Sequence, residues 1–324
     1  MTPLNSNSHV EHFVTLFDSR FLPMGMTLHN SLMRHGQPFH LWIICMDETV
    51  EKQLAQLSLP HMTLIPLREV ETGELLAVKP GRSSQEYCWT LTPFTFQAVF
   101  DRDEYIKRVT YLDADLFFFD NPSILLNELD TTKKHVLITE HAFAPEHSYF
   151  LPLSGRFCVQ FLTFRRTFEA AKVMRWWQER CLEWCFNRHE ENRFGDQKYL
   201  DAWPELFADE VHIVRQTEKT LAPWNVSHVE RTIQGRLAPV FYHFQGLRII
   251  SSNKVQLYNE NYTIGVNGQR LYSEYLTGLR DSIKALQGFC IAIPLLEGVM
   301  SRKGKLLTIL RKNPRVIKLD EQLH

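Results

Sequence analysis

Three features of the sequence predict an α/β fold with a mixed, mainly parallel sheet flanked by helices. Apolar, β-branched runs alternate with stretches of helical apolar spacing through the first half of the chain. The longest such run, Arg108 to Phe119, is broken by two carboxylates one residue apart, Asp113 and Asp115. The 324 residues are 44% hydrophobic, enough to build one large core or two.

In order, His12 to Phe17 reads as a strand, Met24 to Arg34 as a helix, Phe39 to Met46 as a strand, Thr49 to Leu57 as a helix and Met62 to Pro66 as a strand. Gln85 to Phe100 has helical spacing with a kink or boundary at Pro93. The strand ending at Asp113 and Asp115 follows, then strands at Val136 to Glu140 and Arg156 to Phe164. Phe168 to Arg188 has the pattern of a long helix, and its tryptophans, Trp176, Trp177 and Trp184, read as core rather than as a sugar platform. Arg193 to Asp201 packs polar groups behind Gly195 and opens a short amphipathic helix, with Asp196 placed to cap it. Tyr272 to Leu286 is an amphipathic helix, and a C-terminal helical extension is expected from residue 263.

Side chains alternate faces along a strand, so Asp113 and Asp115 are expected to point the same way at its carboxyl end. In open α/β sheets, ligands gather beyond those ends. Two hard oxygen donors there suit Mn²⁺ or Mg²⁺, and such a cation can hold a diphosphate. The reading is a nucleotide-sugar transferase. Asp-x-Asp also arises by chance, and Asp101-Arg102-Asp103 is a second copy without an apolar strand to aim it, read as solvated surface.

Lys plus Arg total 36 against 37 Asp plus Glu, so the overall charge does not call for nucleic acid as a partner. The six cysteines are dispersed; Cys181 and Cys185 could share a helix face, but no second His/Cys pair at zinc-like spacing accompanies them. Reduced thiols of a cytosolic protein are expected. The start, Met-Thr-Pro-Leu-Asn-Ser-Asn-Ser, has neither a basic opening nor an apolar signal core, and no run approaches the ~20 apolar residues that span a bilayer. The expected location is cytoplasmic. From Ser301 onward, seven basic residues stand against two acidic ones (Asp320 and Glu321). This asymmetry reads either as a solvated helical cap or, over 289–318, as a peripheral hold on an anionic inner membrane face.

Tyr111-Leu-Asp-Ala-Asp115, Phe194-Gly-Asp-Gln197 and Phe241-Tyr-His-Phe-Gln-Gly246, in that order and at those intervals, resemble glycosyltransferase family 8 and its GT-A relatives over roughly residues 10 to 250. The resemblance implies a Rossmann-like GT-A domain over 1–262 with a helical and basic extension over 263–324. It implies Mn²⁺ held by Asp113, Asp115 and His243, and Asp196 and Gln197 beside the transferred sugar. Asp18-Ser-Arg-Phe21 is similar to the segment that reads the nucleobase, with Phe21 in place of a stacking tyrosine. Donor contacts then fall on Asp18, Phe21, Asp113, Ala114, Asp115 and Gly246. Where the family has an Asn-x-Gly, this chain has Cys158 and Gln160, and the family's arginine is missing from Tyr87 to Thr92. Leu247-Arg248-Ile249-Ile250 replaces its Lys-Pro-Trp. Gln160 is carried over as a donor contact, and Arg156 and Arg248 are candidates for the missing positive charge.

The loop Leu221 to His228 offers Trp224 and Asn225 as a sugar wall, an aromatic face for ring C–H groups and an amide for hydroxyls. His243 has a plainer reading as a buried, hydrogen-bonded core histidine. The expected activity is metal-dependent transfer of a hexose from a nucleoside diphosphate, UDP first among them, to a saccharide or lipid-linked glycan in polysaccharide or lipopolysaccharide biosynthesis. A retaining course needs no strong base and uses Gln197 behind the sugar, whereas an inverting one needs a carboxylate, Asp196. The alternatives are a non-catalytic nucleotide-sugar or carbohydrate-binding module and a haloacid-dehalogenase-type phosphohydrolase. The latter places a small hydroxyl or β-branched residue where Phe117 stands.

Overall fold

A computed structural model of the chain describes residues 10–233, 235–259, 261–295 and 316–319. Seven strands form the central sheet in the order β3-β2-β1-β4-β7-β6-β8. They are β1 (Glu11–Phe17), β2 (Phe39–Cys45), β3 (Met62–Pro66), β4 (Arg108–Leu112), β6 (Val136–Glu140), β7 (Phe157–Arg165) and β8 (Val211–Ile213). A short strand, β5 (Leu116–Phe118), lies between β4 and β6 in sequence but outside this sheet. Only β7 runs against its neighbours β4 and β6; the other pairings in the sheet are parallel. A sheet covered on both faces needs continuous apolar strands, and β4 and β2 supply them, with every residue of β4 buried.

The helices that cover it start as their sequences dictate. Asp47 caps Glu48–Leu57 by accepting from Val50 N, and Ser83 with Glu86 closes a capping box on Ser84–Leu91. Pro93 divides the predicted 85–100 helix: Ser84–Leu91 ends, one 3₁₀ turn carries the proline, and Thr95–Phe100 resumes. The long helix stops at Glu183, before the predicted Arg188, because the chain turns extended at Trp184. Its tryptophans are core: Trp177 and Trp184 are buried and Trp176 packs against the same cluster. Cys181 and Cys185 are free, buried thiols in that cluster.

Two smaller sheets stand beside the central one. In the first, β5 pairs antiparallel with β10 (Phe241–His243), which pairs parallel with β9 (Thr220–Leu221). In the second, β11 (Arg248–Ser251), β12 (Lys254–Gln256) and β13 (Val316–Lys318) form an antiparallel ladder. Of the 263–324 segment, the described residues include the helix Val266–Gly288 and β13. That helix packs along Leu22–His35, where Thr27 Oγ1 lies 3.0 Å from Ser282 Oγ. Among the described residues no helix is long and apolar enough to cross a membrane. Most of the basic tail, from Arg302 to Arg315, lies outside the described residues.

Candidate active site

The run predicted as one strand through Phe119 is in fact two. β4 ends at Leu112, and a turn closed by Leu116 N donating to Asp113 O sends β5 out of the central sheet to pair with β10. Asp113 and Asp115 therefore sit in a turn, not on one face of an extended strand as alternation predicts. They converge all the same. Asp113 N donates to Gln160 O on β7, and Asp115 O accepts from Phe244 N beside β10.

The register of β10 on β5 sets His243 opposite Leu116 and so brings it to the turn. Its Nε2 lies 3.0 Å from Asp115 Oδ1 and 3.6 Å from Asp113 Oδ2. One ligand atom from each of the three residues falls within 4.8 Å of the others. Two carboxylates and an imidazole make a donor set that suits Mn²⁺ and, less closely, Mg²⁺, which prefers oxygen throughout. Burial pushes the Asp113 carboxyl up to about 6, against the pull of His243. Burial would raise Asp115 too, but the His243 charge and hydrogen bond outweigh it and hold that carboxyl below its ordinary value. Burial opposes the His243 imidazolium, and Asp115 overcomes it, so this side chain is raised well above the usual histidine range. Their convergence at a strand end, with each group perturbed by the others, makes this cluster the candidate functional site.

The cluster opens into a cleft of about 610 Å³. Asp18, Phe21, Ala114, Asp196, Gln197, Trp224, Gly246 and Arg248 line it together with Asp113, Asp115 and His243. Asp18 caps the 3₁₀ turn Ser19–Phe21, accepting from Arg20 N, and its Oδ2 accepts from Arg20 Nε at 2.8 Å. The Arg248 guanidinium stands 5.6 Å from the centre of the Phe21 ring. Gly246 has φ +86°, and a Cβ there would meet Asn259 Oδ1 at 2.9 Å, so this position of the lining requires glycine.

Asp196 does not cap the turn that it precedes; its side chain makes no cap hydrogen bond and lies buried in the cleft wall. Burial, with the charge of Asp113, pushes its carboxyl up to about 8. Gln197 Nε2 donates to Ser154 O at 2.7 Å.

Three of the sequence-predicted residues do not face the cleft. Arg156 pairs with Glu140, Nε to Oε1 at 2.8 Å, while its main-chain N–H donates to Asp201. Asn225 is buried and ties its own loop, accepting from Ala222 N and donating to His141 O and Thr220 O. Gln160 is fully buried beneath the cluster, where its Oε1 accepts from His243 Nδ1. Trp224 does line the cleft, yet its Nε1 is committed to His141 O and its ring meets His243 edge-on at 5.3 Å.

Other lining residues escaped the sequence reading. Arg20 stands between the two residues singled out near the N-terminus, and its charge reaches Cys88, on the helix from which the family's arginine is missing. Asn259, Asn261 and Tyr262 lie past the last motif, so no spacing pointed to them.

No family model matches the chain. It is 34% identical to the uncharacterized protein YfnF of Bacillus subtilis (strain 168) over 262 residues, covering 76% of this chain and 85% of YfnF. It is 30% identical to the uncharacterized protein YfnD of the same organism over 254 residues, covering 76% of this chain and 81% of YfnD. Among solved structures, the apo form of the bifunctional glycosyltransferase WbbM superposes with a TM-score of 0.51 at 12% identity, over 88% of this chain and 52% of WbbM. At that identity the likeness is one of fold. The sheet, its flanking helices and the C-terminal helix are those of the GT-A fold.

Proposed function

The chain belongs to one family with YfnF and YfnD of Bacillus subtilis, and we propose that it is a metal-dependent glycosyltransferase. The donor is a nucleoside diphosphate sugar, uridine first among the bases, and the acceptor a saccharide or lipid-linked glycan. The observation that carries this reading is the Asp113, Asp115 and His243 cluster, placed at the carboxyl end of β4 and opening into a cleft large enough for such a donor.

Transfer separates an anomeric carbon from a diphosphate, and the barrier falls when a preorganised positive charge meets the leaving oxygens. The cation, when bound, supplies that charge. The chain's own residues hold it and surround it. Arg248, whose charge reaches Asp115, adds positive potential for the diphosphate, and Arg20, paired with Asp18, lines the same cleft. Asp18 and Phe21 offer a carboxylate beside a ring, which suits a flat pyrimidine with an imide N–H. Gln197, held by Ser154 O, presents its amide oxygen to the sugar. On the retaining course that the family resemblance implies, the leaving phosphate takes the acceptor's proton, and Asp196 in the cleft wall is not called on as a base.

Thermal-shift measurements with a panel of nucleotide sugars, with and without Mn²⁺, followed by product analysis, test the proposal. A metal-dependent gain with one donor and transfer from it is expected. Binding that ignores Mn²⁺, or equal gains with uridine, guanosine and thymidine diphosphates, counts against the metal-held donor or its base pocket respectively.

A further inference from the structure

Gln160 was carried into the site as a donor contact, but it lies where no donor can touch it. It is 0% exposed and contributes nothing to the cleft lining. Its bonds run instead to the ligands. The side-chain Oε1 accepts from His243 Nδ1 at 2.7 Å, and the main-chain carbonyl accepts from Asp113 N at 3.1 Å. Its Nε2 faces Thr139 Oγ1 on β6 at 3.5 Å, a long contact that orients the amide with its oxygen toward the imidazole.

We propose that Gln160 is a positioning residue that sets two of the three metal ligands from beneath: its amide oxygen fixes the His243 ring, and its carbonyl fixes the turn that carries Asp113. The proposal rests on the metal-centre reading above. An imidazole can offer only one nitrogen to a cation, and the nitrogen left free is decided by what the other one bonds. With Nδ1–H donating to Gln160, Nε2 is the atom turned toward Asp115 and Asp113. Without an acceptor there, the ring loses that constraint: Trp224 meets it only edge-on with its own N–H spent on His141 O, and the Cys158 thiol, also within reach of the ring, is a weak acceptor beside an amide oxygen. The site on β7 is therefore a support for the centre and not a sugar contact, and this accounts for a bulky amide where the resembling family has glycine.

The test separates ring positioning from mere packing. Gln160→Met keeps the length of the side chain and removes the acceptor; Gln160→Glu keeps the acceptor. Mn²⁺ affinity, measured by calorimetric titration of the protein with the metal alone, should fall by about 10- to 100-fold in Gln160→Met, as loss of a partner behind a ligating histidine commonly does. In Gln160→Glu it should stay within a few-fold of the parent. In the unsubstituted, Mg²⁺-loaded protein, the His243 Nδ1 proton should appear as a slowly exchanging resonance in ¹⁵N-edited spectra, a measurement that needs no variant to fold. Gln160→Met affinity close to the parent's, a Gln160→Glu as weak as Gln160→Met, or a rapidly exchanging Nδ1 proton would each overturn the assignment. If no Mn²⁺ binds to the unsubstituted protein, it is the metal-centre reading that fails.

Discussion

The Tyr111 hydroxyl donates to Asp113 Oδ1 at 3.0 Å, so the last turn of β4 grips one oxygen of the carboxylate whose other oxygen faces His243. This bond favours the ionised form, against the burial that pushes Asp113 up to about 6.

Metal affinity should therefore depend on pH through Asp113. A cation needs the carboxylate, and protons compete for it below the raised value. Mn²⁺ affinity should fall with acidification across the whole range, because His243 is held well above the usual histidine range and must lose a proton to ligate, and more steeply below pH ~6, by up to about a further tenfold per unit, as Asp113 takes its proton. Tyr111→Phe removes a bond to the ionised form and should move the onset upward. Titrations across pH 5 to 8 check this, and a Tyr111→Phe onset at lower pH than the parent's would contradict it.

The two Asp-x-Asp copies provide a paired comparison. Asp113→Asn and Asp115→Asn should each lower sugar transfer by about two orders of magnitude or more, the usual cost of losing a preorganised electrostatic group. Asp101 and Asp103 lie away from the cleft, where Asp101 accepts from Gln97 and Asp103 from Tyr105 N. Their asparagine variants should stay within a few-fold of the parent in rate and metal requirement. Essential roles for Asp101 and Asp103 with tolerant Asp113 and Asp115 would remove the basis of the transferase proposal.

Arg248 and Arg156 should separate in the same way. Both were candidates for the diphosphate, but only Arg248 lines the cleft, while Arg156 is paired with Glu140. Arg248→Ala should raise the donor KM by about tenfold, the equivalent of about 1.4 kcal/mol in binding. Arg156→Ala should leave KM within a factor of two. Steady-state kinetics with varied donor decide between them.

Asp196 predicts a slope in stability. Its folded-state value, about 8, lies above the ~3.9 of an unfolded aspartate. Between those values the folded protein keeps a proton that the unfolded chain has released, so the contribution of this group is most favourable below pH ~4 and is lost as pH rises toward 8. Asp196→Asn cannot titrate. In metal-free protein, the melting temperature of Asp196→Asn relative to the parent should rise steadily from pH 5 to pH 8; a constant difference would place the proton elsewhere.

Much of the fold was legible because it rests on local pattern. The first three strands and both helices between them fall within two residues of their predicted bounds, since alternation, caps and turn residues all act over short spans. The grouping of Asp113, Asp115 and His243 was legible as well, though through the family resemblance and not from strand alternation, which misdescribed the turn at Asp113. What escaped depends on the partners a side chain meets. Asn225 and Arg156 have the chemistry of a sugar site, and no pattern in sequence tells that Asn225 spends its amide on its own loop or that Arg156 finds Glu140. Gln160 was noticed as a departure, but whether it points up into the cleft or down toward His243 is decided by the register of β7 on β4, which pairs Phe161 with Leu112 and which no local signal records.

The pairing of Leu116 with His243 joins segments on either side of everything between β5 and β10, including three strands of the central sheet and the long helix. Closing so long a loop costs conformational entropy, which the contacts built on either side of it must offset before the three side chains can meet. On the proposed reading, a cation held by all three side chains would tie β5 to β10 across that span and slow the opening of this ladder.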